Sequence, residues 1–262
     1  MFLKAKKSLG QNFLVDEDII ETILKCSKIK DKDVLEVGPG TGNLTLKILE
    51  HKPKKLYLVE KDQVLLEQLK NKLKYEIVFI NDDILNIDEK SLSKNKLIVF
   101  GNLPYNISTE ILIKWVINLD NNVWFDKLIL MFQKEVANRI ISKHNTSNYG
   151  RLSIIANWKL EINKIIDIKP HSFKPKPKVD SSLLVFTPKN NIKKICSEKS
   201  LEIITRVFFN QRRKKIKKPF KQLFNNFEKI AKKLNIDLNL RPQNLDIDTY
   251  LLIAKEYDLL RS

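Results

Sequence analysis

The stretch Glu36-Val37-Gly38-Pro39-Gly40-Thr41-Gly42 follows directly on a β-rich run that begins at Val34. A helical pattern comes next, with Leu44, Ile48 and Leu49 at the spacing of one helix face. Strand, glycine turn and helix in that order are the first half of a βαβ unit. Glycine permits the tight turn and lets the backbone approach a ligand closely. A dinucleotide-binding fingerprint would place its third glycine one position later, where this chain has Asn43. The spacing is GxGxG rather than GxGxxG.

The same rhythm extends in both directions. Further strand-like runs cover Lys55 to Val59, Ile77 to Ile80, Leu97 to Phe100 and Lys127 to Phe132. Between them, Val64, Leu65, Gln68 and Leu69, and then Ile111, Leu112, Trp115 and Val116, recur at helical spacing and predict stripes that cover the faces of a parallel sheet. The run Leu183 to Phe186 ends at Thr187-Pro188, and beyond it the pattern turns helical and basic. Two domains are expected, 1–188 and 189–262: an α/β, Rossmann-like sheet and a small helical C-terminal domain.

With 43% apolar residues, 30% charged and only 6 Gly and 9 Pro, the chain can bury a full core, which excludes fibrous and disordered classes. The net charge of +17 favours a polyanionic partner. The segment Asn210 to Lys221 contributes Arg212, Arg213, Lys214, Lys215, Lys217, Lys218 and Lys221 with no acid. Such a run reads as a solvated face or as a phosphate-binding surface, and the overall charge shifts the reading toward nucleic acid. Cys26 and Cys196 fit no disulfide framework or zinc spacing. No apolar run is long enough to span a bilayer, and Met1 to Lys7 lacks the core of a secretory signal. A cytoplasmic monomer is expected. His51, His144 and His171 form no HExxH pair and no GxSxG elbow occurs, so metal-dependent and hydrolytic chemistry find no support and no metal is expected.

Four signals then point to one ligand and one reaction. The glycine turn behind Glu36 suits S-adenosylmethionine, which has no pyrophosphate to cradle. Glu60, at the end of Leu56 to Val59, stands where an acid accepts hydrogen bonds from two ribose hydroxyls, with Lys61 beside it. Asp83, followed by Ile84, can accept a hydrogen bond from an adenine amino group. Gly101-Asn102-Leu103-Pro104-Tyr105 ends the fourth strand, the edge where open α/β sheets bind ligands. The exocyclic amine of adenine is a poor nucleophile because its lone pair is delocalised into the ring. Two acceptors, the Asn102 side chain and the Leu103 carbonyl, can hold its hydrogens and favour a pyramidal nitrogen. Pro104 fixes the backbone without adding a donor, and Tyr105 would stack on the base.

These blocks, with Ser8-Leu9-Gly10-Gln11-Asn12-Phe13-Leu14, Phe132 to Ala137, Tyr149 to Ser153, Phe173-Lys174-Pro175-Lys176-Pro177-Lys178-Val179-Asp180-Ser181-Ser182 and Phe209 to Lys214, resemble the ribosomal RNA adenine N6,N6-dimethyltransferase family nearly end to end. The resemblance implies a seven-stranded sheet and S-adenosylmethionine as cofactor. The implied substrate is two adjacent adenosines in a hairpin loop near the 3′ end of small-subunit ribosomal RNA. It implies that Gln11, Asn12 and Leu14 close over the methionine end of the cofactor, with Gly38 and Gly40 beneath it. Glu60 would lie at the ribose, Asp83 and Ile84 at the adenine, Lys61 among the cofactor contacts, and Asn102, Leu103, Pro104 and Tyr105 at the reacting amine. Phe173 would be a second aromatic clamping the flipped base, although as a residue between prolines it reads equally well as a loop anchor. Arg212, Arg213, Lys214 and Lys215 are the expected RNA contacts. Two rivals remain: an erythromycin-resistance type methylase of large-subunit RNA, disfavoured by Leu103 and the Phe209 to Lys214 block, and a non-catalytic RNA-binding assembly factor, disfavoured by the intact Asn102, Tyr105 and glycine turn.

Overall fold

The computed structural model describes residue 6 and residues 10–119, 123–192 and 197–261; Ser8, Leu9 and Cys196 lie outside them. The chain divides into two compact units. The first runs to Ala137 and resumes over Glu161–Pro188. Its elements are β1 (Phe13–Leu14), α1 (Glu17–Leu24), β2 (Asp33–Val37), α2 (Asn43–Glu50), β3 (Lys55–Val59), α3 (Gln63–Lys72) and β4 (Ile77–Ile80). They continue with α4 (Glu89–Leu92), β5 (Leu97–Gly101), α5 (Ser108–Ile117), β6 (Phe125–Gln133), the start of α6 (Lys134–Ile140), then β7 (Leu160–Ile168), β8 (Phe173–Lys174) and β9 (Ser181–Pro188).

Seven strands form one sheet in the order β4-β3-β2-β5-β6-β9-β7. β2 to β6 are parallel, and β9 returns antiparallel to β6. Every residue of β2 and β5 is buried, as expected of central strands covered on both faces. The chain moves outward from β2 through β3 to β4 and then crosses to the other side of β2 as β5. A crevice therefore opens between the carboxyl ends of β2 and β5, the switch point where doubly wound sheets bind ligands. Residues Ile111, Leu112, Trp115 and Val116 are all at most 1% exposed, as their periodicity predicts. α3 is rotated from its predicted stripe: Leu65, Leu66 and Leu69 are buried while Val64 is 54% exposed. β7, with alternating exposure along Leu-Glu-Ile-Asn-Lys-Ile-Ile-Asp-Ile, is an edge strand whose polar residues hid it from the sequence reading.

The second unit comprises Asn138–Leu160 and the described residues from Lys189 onward, with α7 (Arg151–Lys159), α8 (Glu198–Phe209), α9 (Lys217–Leu223), α10 (Phe227–Lys233) and α11 (Ile247–Leu259). This corrects the expected 1–188 and 189–262 division over residues 138–160. The reason is packing: Tyr149, Ile154 and Trp158 share a core with Leu201, Ile204, Phe208, Phe220 and Tyr250, a pairing of segments far apart in the chain.

Candidate active site

Four loops meet above the carboxyl edge of adjacent strands because the register aligns their ends. Val37 pairs with both Val59 and Gly101, and Val59 pairs with Ile80. The residues just past those ends, Gly38, Glu60, Asn102 and the Asp82-Asp83 pair, line one cleft of about 930 Å³ including its open mouth. Gly10, Gln11, Asn12, Phe13, Lys61, Ile84 and Leu103 to Ile107 complete the wall. Every site residue named from the sequence lines this cleft except Leu14, Gly40, Phe173 and the basic run.

The glycines of the turn serve different neighbours. Gly38 (φ +70°) faces the cleft, and a Cβ there would meet the Asn102 carbonyl oxygen at 3.6 Å. At Gly40 (φ +57°) a Cβ would stand 2.6 Å from the Phe13 ring, so that glycine is required by the chain's own amino-terminal segment. Asn43, which replaces the third glycine of a dinucleotide fingerprint, opens α2 and donates from Nδ2 to the Leu14 carbonyl at 2.8 Å. Leu14 itself is buried and contributes its backbone rather than its side chain.

The segment 10–14 is held in place at three further points. Gln11 Nε2 donates to Asp62 at 3.1 Å, β1 pairs with β8, and Asn102 Nδ2 donates to the Asn12 carbonyl at 2.7 Å. The last bond orients the Asn102 amide and leaves its Oδ1 as an acceptor. Leu103 is 1% exposed, so its side chain is anchored in the interior. The Tyr105 hydroxyl lies 2.5 Å from Ser181 Oγ on β9, while burial pushes its pKa up. Ser181 and Asp62 are partners of candidate site residues that the sequence reading missed. Ser181 lay within the Asp180-Ser181-Ser182 block without a role, and Asp62 stands two residues past Glu60.

Glu60 is nearly buried, and burial raises its pKa against the pull of its hydrogen bonds. Its Oε1 accepts from the Asp62 amide at 2.9 Å and its Oε2 from the Gly40 amide at 3.3 Å. Each oxygen retains a lone pair. Asp83 caps the short 3₁₀ turn Ile84–Asn86 through the Leu85 amide and pairs with Lys61 Nζ at 2.8 Å. Burial opposes its ionisation, but Lys61 and the Leu85 amide hold its pKa below the usual carboxylate value. Lys61 thus meets the cleft through its ion pair with Asp83. Behind the turn, Glu36 is 2% exposed, and its Oε2 has no hydrogen-bond partner among the described residues.

Two expectations change. Phe173 is 0% exposed, paired with Leu14 across β1 and β8 and packed in the core, the arrangement of a loop anchor. Arg212 is half-buried and donates from one terminal nitrogen to the carbonyls of Ser147 and Tyr149, the latter at 3.0 Å; it braces that loop. Lys215 reaches Asn239 Oδ1 at 2.9 Å, and Arg213 and Lys214 are exposed.

A glycine turn and an Asn-Leu-Pro-Tyr block facing each other across the switch point define a Rossmann-like methyltransferase. The chain belongs to the ribosomal RNA adenine dimethylase family, whose model matches residues 2–259, and it is an rRNA adenine dimethyltransferase. It is 62% identical over 261 residues to a ribosomal RNA small subunit methyltransferase A of Pelagibacter ubique (strain HTCC1062), with 100% of each chain covered. A protein of the same name from Wolbachia sp. subsp. Drosophila simulans (strain wRi) is 38% identical, covering 98% of this chain and 95% of its own. Among solved structures, a dimethyladenosine transferase from Plasmodium falciparum superposes with a TM-score of 0.76 at 25% identity, over 94% of this chain and 98% of the other. The 23S rRNA methyltransferase ErmE shares the fold, with a TM-score of 0.68 at 21% identity over 94% of this chain and 100% of its own.

Proposed function

We propose that this chain dimethylates N6 of two adjacent adenosines in a hairpin loop near the 3′ end of small-subunit (16S) ribosomal RNA, as a cytoplasmic monomer using S-adenosylmethionine. The full-length identity to the small-subunit methyltransferases favours that substrate over a large-subunit adenine. The cleft suits the cofactor. Its volume is in the range of nucleoside-sized sites, Glu60 keeps lone pairs for ribose hydroxyls, and Asp83 is an ionised acceptor for the adenine amine. When bound, the cofactor supplies a methyl group already activated by its sulfonium.

The observation that carries the reading is the Asn102 amide, which is oriented by donating to the Asn12 carbonyl and keeps its oxygen as an acceptor in the cleft that Tyr105 also lines. In that position Oδ1 and the Leu103 carbonyl accept the hydrogens of the target amine. Tyr105, steadied by Ser181, offers its ring to the base. The residues position the amine and supply no strong base, because orientation is the main demand of an in-line transfer to nitrogen. Loop adenosines are already partly unstacked, which lowers the cost of flipping one into the cleft.

The second unit supplies the electrostatic hold on RNA. It carries 22 Lys and Arg against 8 Asp and Glu, a balance of +14 out of the chain's +17. Arg213 and Lys214 are its exposed phosphate contacts in the basic run, with Lys215 beside them. Asn102→Ala tests the core of the reading. Turnover on small-subunit RNA should fall by roughly 10² or more while RNA affinity is kept, in line with losing a transition-state hydrogen-bonding group. A variant with near-normal kcat refutes the assignment.

A further inference from the structure

The corner of the cleft formed by Asp83 and Ile84 is braced from outside by a side chain that does not line it. Lys114, on α5, is 20% exposed at its side chain, and its Nζ donates to three acceptors. These are the Ile84 carbonyl at 2.9 Å, the Ile87 carbonyl at 2.5 Å and Glu89 Oε1 at 2.8 Å. An ammonium has three hydrogens, so every donor has a partner. The two carbonyls bracket the Ile84–Asn86 turn, whose first residue lines the cleft and whose cap is Asp83. Glu89 is only 5% exposed and accepts a second bond, from the indole nitrogen of Trp115 at 2.7 Å, a residue 1% exposed. The clamp is thus anchored in the core at one end and holds cleft backbone at the other. The Lys114 charge also assists Lys61 in keeping Asp83 ionised.

We propose that Lys114, backed by Glu89, is a positioning residue that sets the adenine specificity of the cofactor site by fastening the Ile84–Asn86 turn to α5. This rests on the reading of Asp83 and Ile84 as the adenine contacts. If the turn is held, Asp83 meets an amino group at the purine 6-position and is repelled by an oxygen there. A loose turn loses that distinction.

Lys114→Met alone would leave the Glu89 carboxylate buried without its cation, so the informative variant is Lys114→Met with Glu89→Gln. The Gln side-chain oxygen can still accept from Trp115, and no buried charge is stranded. Calorimetry on the full chain compares S-adenosylhomocysteine with S-inosylhomocysteine, which carries oxygen in place of the amine. The double variant should lose roughly tenfold in affinity for the adenosyl compound, about one charge-assisted hydrogen bond, and little for the inosyl compound. The KM for the methyl donor should rise while kcat at saturation stays within about twofold, the pattern of lost ground-state binding. Glu89→Gln alone should keep the wild-type preference, because the lysine still holds both carbonyls. A double variant with the wild-type preference overturns the proposal, as does an equal loss for both ligands accompanied by a lowered Tm. Asp83→Ala separates the two levels: if it too keeps the preference, the adenine reading itself fails.

Discussion

Glu36→Gln isolates the cost of a carboxyl group that the fold encloses. Burial, reinforced by the negative charge of Glu60 and opposed by Thr45, pushes the Glu36 pKa up to about 8. In the unfolded chain the same group ionises near 4.5. Between those pH values the folded protein holds a proton that the unfolded chain has released, so stability falls as pH rises through the window. At about 1.36 kcal/mol for each pH unit, the loss attributable to Glu36 is on the order of 4 kcal/mol by pH 8, and its slope fades over roughly the next pH unit. The amide variant has no proton to exchange. Urea unfolding of both proteins from pH 5 to 9 should therefore give curves that lie close at the acid end and diverge upward, with the variant the more stable above pH 7. Parallel curves would mean that Glu36 ionises normally in the folded state, and the burial argument would fall.

Gly40→Ala places a Cβ against the Phe13 ring at a positive φ. It should cost at least about 1–2 kcal/mol from the left-handed backbone alone, and it should weaken cofactor binding by displacing the amino-terminal segment, read by thermal unfolding and calorimetry. Phe173→Ala should destabilise by about 3–5 kcal/mol as a core truncation. If it folds with wild-type stability but loses capture of the RNA base, the clamp role is restored. Arg213→Ala and Lys214→Ala should each flatten the log-log salt dependence of RNA binding by about 0.7–0.9 for a lost phosphate contact, whereas Arg212→Ala should lower Tm with little change in slope. A slope change confined to Arg212 would reverse that division.

Residues whose roles depend on local order were legible in the chain. Val34 to Gly42 announced a strand, a turn and a helix because the apolar period changes where the glycines stand. Glu60, Asp83 and Asn102 could be placed at strand ends because each closes an apolar run. Phe173 was not legible in this way: an aromatic between prolines suits exposure and burial equally, and only its pairing with Leu14 decided between them. Arg212 is hidden among its neighbours for the same reason, since seven basic residues look alike until one of them meets two carbonyl oxygens.

The amino-acid sequence by itself determined the βαβ rhythm, the edge on which the cleft opens and the chemical groups delivered to it, since periodicity and strand ends are properties of neighbours along the chain. Tertiary structure alone decided which residues serve those groups. Asn12 turning the Asn102 amide, Ser181 meeting Tyr105, Lys114 reaching around to Ile84 and residues 138–160 joining the helical core are contacts between segments roughly 30 to 100 positions apart. No local pattern encodes such contacts, because they exist only once the sheet has brought the segments together.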